Sequence, residues 1–443
     1  RSIIGNFGNG VMGPYTTVYA VQLGASPTEM GWFRSLTNFF ANVMQIPWGT
    51  ISDRTTRRAP FIILGGVLSS LFWLPMIYVR TSHEFVVLVV AQAFIGSMVV
   101  PAWSALIGDL VPHSGRGSAT ASINAAASVG SIIATLISGY IMTIVGGSLA
   151  QMYTIPLILA AVCGCVASLT MLTLREKRET RRREWGKWRT LLKGNPYYTT
   201  FCMITLFHSF FMAIAWPIFT ITVVRVVKAD TMQIAYLSVI QGCMALTVRR
   251  FVGRLVDRAG RKSFIVFGRT SIVIVPIVYA VATSVYHLYA VELVVGIVIA
   301  AVEIAVLAYL LDIVPEEQRA GSIALFNMFY GVAIFLGSLA GGYFADIAPA
   351  MGFGELASLQ LVYGVSAVGR LAAGLSFARI KEPYKYPSTI REELARIMRE
   401  DAERARKGLE QIEERGKTAQ EDLEKDFEWF ESILRWKEDK ERR

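Results

Sequence analysis

The run HLYAVELVVGIVIAAVEIAVLAYLLD, residues 287–312, carries two carboxylates in an otherwise apolar stretch before its terminal Asp312. Glu292 and Glu303 are 11 residues apart, close to three turns of an α-helix. Both therefore fall on one stripe, with Gly296 and Ile299 between them, roughly 16 Å apart at the standard rise. A carboxylate in such a helix is expensive to bury and is read as functional: a proton carrier, a cation site or a counter-charge. Glu303 is the first choice for coupling or substrate contact. Its structural alternative is an ion pair with Arg370, which lies nine residues before Arg379 as Glu303 lies nine before Asp312. Glu292 sits nearer the opposite helix end. His208 offers an imidazole or a packing hydrogen bond. Asn6, Asn9, Gln92 and Gln241 offer neutral hydrogen bonds to a solute, and Trp216 an aromatic wall. Arg34 either attracts an anion or snorkels to an interface. With acids and bases both present, the sign of a cavity is left open. No catalytic triad, metal-ligand cluster or Walker phosphate loop accompanies these groups. The chemistry is that of holding a solute, not of transforming one, and no cofactor is implied. Cys163, Cys165, Cys202 and Cys243 all fall in apolar runs without zinc-like spacing and read as small buried residues.

The elements that must position these residues are set by hydropathy. The chain has 443 residues, 53% of them hydrophobic, with mean hydropathy +0.45. Twelve apolar runs are long enough to span a bilayer: about 3–23, 30–52, 59–80, 84–108, 118–144, 150–174, 198–224, 232–256, 263–283, 287–311, 321–345 and 357–380. An all-α polytopic membrane protein is expected. The net charge is +10, yet a nucleic-acid partner is not implied, because the positives cluster in alternate loops. Arg54, Arg57 and Arg58 follow run 2, Arg116 follows run 4, and REKRETRRREWGKWR (175–189) follows run 6. Arg258, Arg261 and Lys262 follow run 8, and Arg319 follows run 10. The other loops hold little beyond Arg80, Arg225 and Lys228. The positive-inside rule then places both chain ends in the cytoplasm. No cleavable leader pattern is present, and the first run starts almost at residue 1 without an initiator Met, which reads as a trimmed N-terminus.

The chain repeats itself. GTISDRTTRR (49–58) is a weaker copy of GRLVDRAGRK (253–262), and ALIGDLVPHSGRGSATASIN (105–124) overlies AYLLDIVPEEQRAGSIALFN (308–327) at an offset of 203. Asp109 falls on Asp312, Arg116 on Arg319, Asn124 on Asn327, Pro14 on Pro217, and Gly139-Tyr140 on Gly342-Tyr343. An even number of spans per copy makes the repeats parallel. GRLVDRAGRK resembles the signature between helices 2 and 3 of the major facilitator superfamily, repeated between helices 8 and 9. The D-x-x-P-x-x-x-R turns also look like that family. The resemblance covers about 1–380 and implies two six-helix bundles rocking in alternating access. The domains expected are 1–174, a basic linker 175–197, 198–382, and a tail 383–443. At the repeated turns, Gly49 and Gly253 would permit close helix approach, Gly260 a tight turn. Asp53 and Asp257 would form a charge network with Arg57, Arg261, Asp109 and Asp312. With Arg116, Arg258 and Arg319, these residues make up an expected gate.

Two departures argue against a proton-linked drug exporter of that family. Gln92 stands where such proteins typically carry Arg, and helix 5 (SVGSIIATLISGYI) lacks their Gly-Pro pair. Thr56 replaces the second Gly of the first turn. The tail, with 15 Lys+Arg against 17 Asp+Glu over 384–443, shows apolar positions at helical spacing and capping boxes at Thr389 and Thr418. Two helices are expected, 390–415 and 419–441. Their apolar face, with Trp429 and Trp436, needs a cover: the partner helix, the basic loop, a second subunit, a cytoplasmic partner or membrane lipid. The function expected is secondary transport of a small organic solute or amphiphile, with proton coupling one option. The alternatives are a lipid or lysolipid flippase, and a transporter-like sensor acting through the tail.

Overall fold

A computed structural model describes residues 2–55, 58–110, 116–173, 192, 194–382, 384, 392–397, 399–403, 406 and 411. The side chains of 2–3, 53–54, 108–110, 116–121, 250, 317 and 320 are outside that description. The chain divides into a large unit, 1–256 with 260–385, and a small one, Asp257–Ala259 with 386–443.

Among its described residues the large unit is built of helices joined by short turns. Its elements are α1 (Ser2–Gln22), α2 (Pro27–Val43), α3 (Gln45–Thr55), α4 (Ala59–Leu71), α5 (Ser82–Gly96), α6 (Val99–Leu110), α7 (Arg116–Val145) and α8 (Leu149–Leu169), then α9 (Pro196–Ile214), α10 (Trp216–Ile221), α11 (Thr231–Ala259), α12 (Lys262–Ser271), α13 (Ile274–Val281), α14 (Val285–Ile313), α15 (Arg319–Ile347) and α16 (Glu355–Ser376). Several sequence runs are interrupted helices: α2/α3, α5/α6, α9/α10 and α12/α13 each fill one run. Among the described residues ten helices are long and apolar enough to cross a membrane, from Ala59–Tyr78 to Glu355–Arg379. The first two runs are helical as well but fall short of that apolarity. Asn6 and Asn9 dilute α1, and Arg34, Asn38 and Asn42 dilute α2.

The internal repeat extends to single hydrogen bonds. Ser26 caps α2 in a capping box with Glu29, and Asp230, 204 positions on, caps α11 in the same way with Gln233. Both boxes satisfy amide donors at a helix N-terminus. Pro14 inside α1 has no N–H to give the Gly10 carbonyl, four residues back. The Thr135 hydroxyl on α7 donates to that carbonyl instead, at 2.9 Å. In the second half Pro217 frees the Ala213 carbonyl, and Ser338 on α15 donates to it at 3.4 Å. All three positions of this device recur at an offset of 203, as Gly10/Ala213, Pro14/Pro217 and Thr135/Ser338. Thr17 and Thr220, also 203 apart, meet each other at 3.2 Å, so the relating axis passes between them. Thr135→Val should destabilise the protein by about 1 kcal/mol, the usual worth of such a bond. Ser338→Ala, whose bond is longer, should cost less. Chemical unfolding in detergent measures both, and equal losses would contradict this reading.

The two halves meet along two seams. "Motif end" here denotes the side carrying 49–58 and 253–262, and "far end" the opposite side. At the far end α2 lies against α15. A Cβ built on Gly342 would stand 2.5 Å from the Pro27 carbonyl oxygen and 3.0 Å from the Gly31 Cα. Trp32 Nε1 donates to Tyr343 Oη at 3.1 Å, the Ser35 hydroxyl to the Phe335 carbonyl at 2.7 Å, and the Thr28 amide to Asp346 at 2.8 Å. The last contact sets a carboxylate of one half on the positive N-terminus of a helix in the other. Arg225 reaches across to the Ala25 carbonyl at 2.7 Å. The second seam joins α7 to α11. Thr143 meets Thr231 at 3.1 Å, a Cβ on Gly139 would touch that of Ala235 at 3.1 Å, and one on Gly242 would touch Ile132 at 3.3 Å. Further toward the motif end the same two helices part and line a cavity.

In the small unit, 392–397 and 399–403 are helical, Ile397 is buried, and Arg258 pairs with Glu400 at 3.1 Å and Glu393 at 3.6 Å. The Glu400 hydrogen bond raises the Arg258 pKa above its ordinary value. The second expected tail helix, 419–441, lies outside the described residues.

Candidate functional site

A cavity of about 330 Å³ lies where the halves meet. Helix α1 supplies Pro14 and Thr17, and α2 supplies Arg34. The other half supplies Thr220, Gln241 on α11, Tyr279 on α13 and Glu292 on α14. A second cavity of about 410 Å³ continues toward the motif end between α1, α7 and α11, with Asn6, Asn124 and Arg249 in its wall. Pro14 and Ser238 line both, so the second is a vestibule to the first. The first cavity takes one formal cation and one formal anion, from opposite halves.

The Arg34 Nε is sealed from solvent and has no hydrogen-bond partner. Among the described residues Arg34 forms no ion pair. Glu292 accepts a hydrogen bond from the buried Tyr279 hydroxyl at 3.3 Å. The two charges face one space without pairing with each other. An unpaired charge away from bulk water is costly, and a ligand of matching charge relieves that cost at both walls.

Glu303 behaves differently. It pairs with Arg249 at 2.7 Å, and the two side chains are 57% and 43% exposed. The stripe expected along α14 is present: Glu292 faces the cavity, Gly296 lies against Gln241 and Met244 of α11, and Glu303 meets Arg249 of the same helix. The partner expected for Glu303, Arg370, is elsewhere. Arg370 is fully buried and donates to the Met212 carbonyl at 2.8 Å and the Ile272 carbonyl at 3.2 Å. Those carbonyls lie where spans break, at the ends of α9 and α12. Helix ends leave carbonyls without intrahelical donors, and inside a bilayer side chains help to supply them; the Ile272 carbonyl also accepts from the Val275 amide at 3.3 Å. Ser366 does the same for the Phe211 carbonyl at 2.7 Å. Arg370 is thus a helix cap and lines neither cavity.

Other candidates also prove to be packing groups. His208 is fully buried, with Nε2 2.9 Å from the Arg269 carbonyl and its ring edge-on to Phe377. Gln92 donates to the Ser69 carbonyl at 2.9 Å, tying α5 to α4. Asn9 and Trp216 line neither cavity, whereas Asn6 lines the vestibule and Arg34, Gln241 and Glu292 the central cavity. Cys243 is exposed, not buried, because it lies off the packed face of α11.

At the motif end Arg261 Nε lies 3.0 Å from Asp312. Glu382, which sequence reasoning passed over, accepts from the Arg261 and Lys262 amides at 3.1 and 2.8 Å and so caps α12. Gly260 has φ +94° and ψ 162°, a conformation that favours glycine. Arg319 pairs locally with Glu316 at 3.1 Å. Among the described residues a Cβ on Gly253 would meet nothing within 4 Å, so the close approach expected there is not seen. Gly49 is buried. Thr56 and Arg57, and the side chains of Asp53, Asp109 and Arg116, lie outside the described residues.

Sequence reasoning also missed Arg249, Tyr279, Thr17 and Thr220. Arg249 had a signal, since it is a cation in an apolar helix four residues before Gly253. The threonines had one in their offset of 203.

The Major Facilitator Superfamily model matches residues 2–291 and 201–427, and the chain belongs to that family. It is therefore a multi-pass membrane transporter and not an enzyme. An uncharacterised MFS-type transporter of Methanocaldococcus jannaschii is 22% identical over 392 residues, 84% of this chain and 95% of that protein. Multidrug resistance protein 2 of Bacillus subtilis is 28% identical over 142 residues, 32% of this chain and 35% of that protein. Among solved structures, a nucleoside transporter superposes with TM-score 0.69 at 14% identity, covering 86% of this chain and 98% of that one. A D-xylose–proton symporter gives 0.62 at 15% identity, with coverage of 86% and 98%. These structures share the fold.

Proposed function

We propose that the protein moves a small polar organic solute across the cell membrane by alternating access. The observation that carries this is the central cavity. It is lined by both halves, backed by seam contacts at the far end, and continued by a vestibule toward the motif end. At about 330 Å³ it falls at the low end of ligand-site volumes, about 300–1,000 Å³. That size favours a compact solute over a lipid with acyl chains. With the motif end cytoplasmic, as the distribution of Lys and Arg favours, a state with far-end seam contacts made and a vestibule leading toward the motif end is an inward-open one. The opposite state requires the far-end contacts to separate and the halves to close around Gly253. The nucleoside and xylose transporters named above support solute movement on this fold without specifying the solute here.

A reversible cross-link tests this. Thr143→Cys with Thr231→Cys, in a chain whose exposed Cys243 is Ser, places two thiols where the hydroxyls stand 3.1 Å apart. Proteoliposomes are assayed for counterflow of labelled amino acids, pentoses and nucleosides. At least one solute should exchange in reduced protein. Oxidation should slow that exchange by about tenfold or more, since crossing requires both states, and reductant should restore it. Exchange untouched by a verified cross-link, or no exchange of any solute by reduced protein, would sink the reading.

A further inference from the structure

The central cavity presents a pattern that a neutral sugar or nucleoside would leave unused. Arg34 enters from the first half with Nε sealed from solvent and unbonded, and Glu292 enters from the second with the Tyr279 hydroxyl as its described partner. Neither neutralises the other. Between them run hydrogen-bonding groups, Thr17, Thr220 and Gln241, and an apolar wall that includes Val18, Leu237 and Phe219. Resting on the proposed transport function, we infer that the substrate is a small zwitterion, an aminocarboxylate with a compact apolar side chain. Its carboxylate is received by Arg34 and its ammonium by Glu292.

Three physical points favour this over a singly charged solute. An anion alone would leave the half-buried Glu292 without a counter-charge, and a cation alone would leave Arg34 so, and each unpaired charge carries a desolvation cost. The guanidinium fork matches a carboxylate in shape, with two parallel N–H donors. The two charges also sit on opposite halves, so a ligand carrying both signs ties the halves together. Such a ligand has the differential affinity for the closed state that a population shift requires. A solute held by one half would not couple binding to rocking.

The test is binding to the intact purified chain by isothermal titration with three near-isosteric probes. These are L-leucine, 4-methylpentanoate, which lacks the ammonium, and 3-methylbutylamine, which lacks the carboxylate. Leucine should bind about tenfold or more tightly than either, the difference one desolvated charge contact makes. In Glu292→Gln the preference over 4-methylpentanoate should vanish while that over the amine persists. In Arg34→Gln the reverse should hold. A wild-type preference for the acid would make this an anion site, and a preference for the amine a cation site; either overturns the inference. So does failure of leucine and the other standard amino acids to bind. If pentose or nucleoside counterflow is nonetheless present and sensitive to the Thr143–Thr231 cross-link, the transport reading survives. If no solute exchanges at all, that reading falls as well.

Discussion

Gly342→Leu should abolish solute exchange and lengthen the distance across the far end. The Gly342 Cβ position is already occupied by backbone, 2.5 Å from the Pro27 carbonyl oxygen and 3.0 Å from the Gly31 Cα. Neither neighbour is the free end of a flexible side chain, so α2 and α15 must move apart. Overpacking of this kind costs about 1–3 kcal/mol, and a leucine belongs at the upper limit. Each 1.4 kcal/mol moves a two-state equilibrium about tenfold, so the far-end-closed state should lose about a hundredfold in relative population. The bonds of Trp32 to Tyr343 and Ser35 to Phe335 flank the site and should weaken with it. Spin labels at Tyr78 and Tyr286, which are 83% and 74% exposed on opposite halves, report the distance. Gly253→Leu is the matched control. A Cβ there meets nothing within 4 Å in this state, so the far-end distance should stay short. Transport should still fail, because the added side chain obstructs closure at the motif end. Opposite distance changes with a common loss of transport are the signature of two alternating gates. A short far-end distance in Gly342→Leu with normal exchange would mean that the α2–α15 seam never opens.

The residues in that experiment show what a single sequence discloses. Gly139-Tyr140 and Gly342-Tyr343 coincide when the chain is slid on itself, and both glycines lie at a seam between halves. Pro14 and Pro217 coincide too, and each frees a carbonyl that a hydroxyl of its own half satisfies. The repeat thus exposed the fold, because helix spacing and helix-breaking residues are written locally. The donors that answer the prolines, Thr135 and Ser338, were not singled out. A hydroxyl's role depends on which carbonyl lies across the helix pair, and spacing along one helix does not contain that. Arg370 failed for the same reason. Depth arithmetic put it level with Glu303, but depth is one coordinate of three. Carbonyls at the breaks α9/α10 and α12/α13 accept its hydrogen bonds at 2.8 and 3.2 Å, and no carboxylate among the described residues pairs with it.

The two glutamates of α14 make the sharpest functional contrast, and here the structure reverses the order of preference. Glu303 had the stronger claim from sequence. It instead pairs with the vestibule-lining Arg249 and itself lines neither cavity. Glu303→Gln should therefore change the exchange rate by less than about fivefold. Glu292 stands in the central cavity with Tyr279, facing the side on which Arg34 enters. Removing one member of a desolvated charge contact with a ligand costs about 2–5 kcal/mol, so Glu292→Gln should slow exchange by about thirtyfold or more. The Gln side chain keeps the volume and one hydrogen bond to the Tyr279 hydroxyl, so melting temperature in detergent should move little in either variant. Initial counterflow rates at a fixed solute concentration, normalised to protein in the membrane, give the comparison. Were Glu303→Gln the crippled variant and Glu292→Gln the mild one, the vestibule and not the central cavity would be where the solute is held. The charge opposite Arg34 would then be a structural feature of the α13–α14 packing.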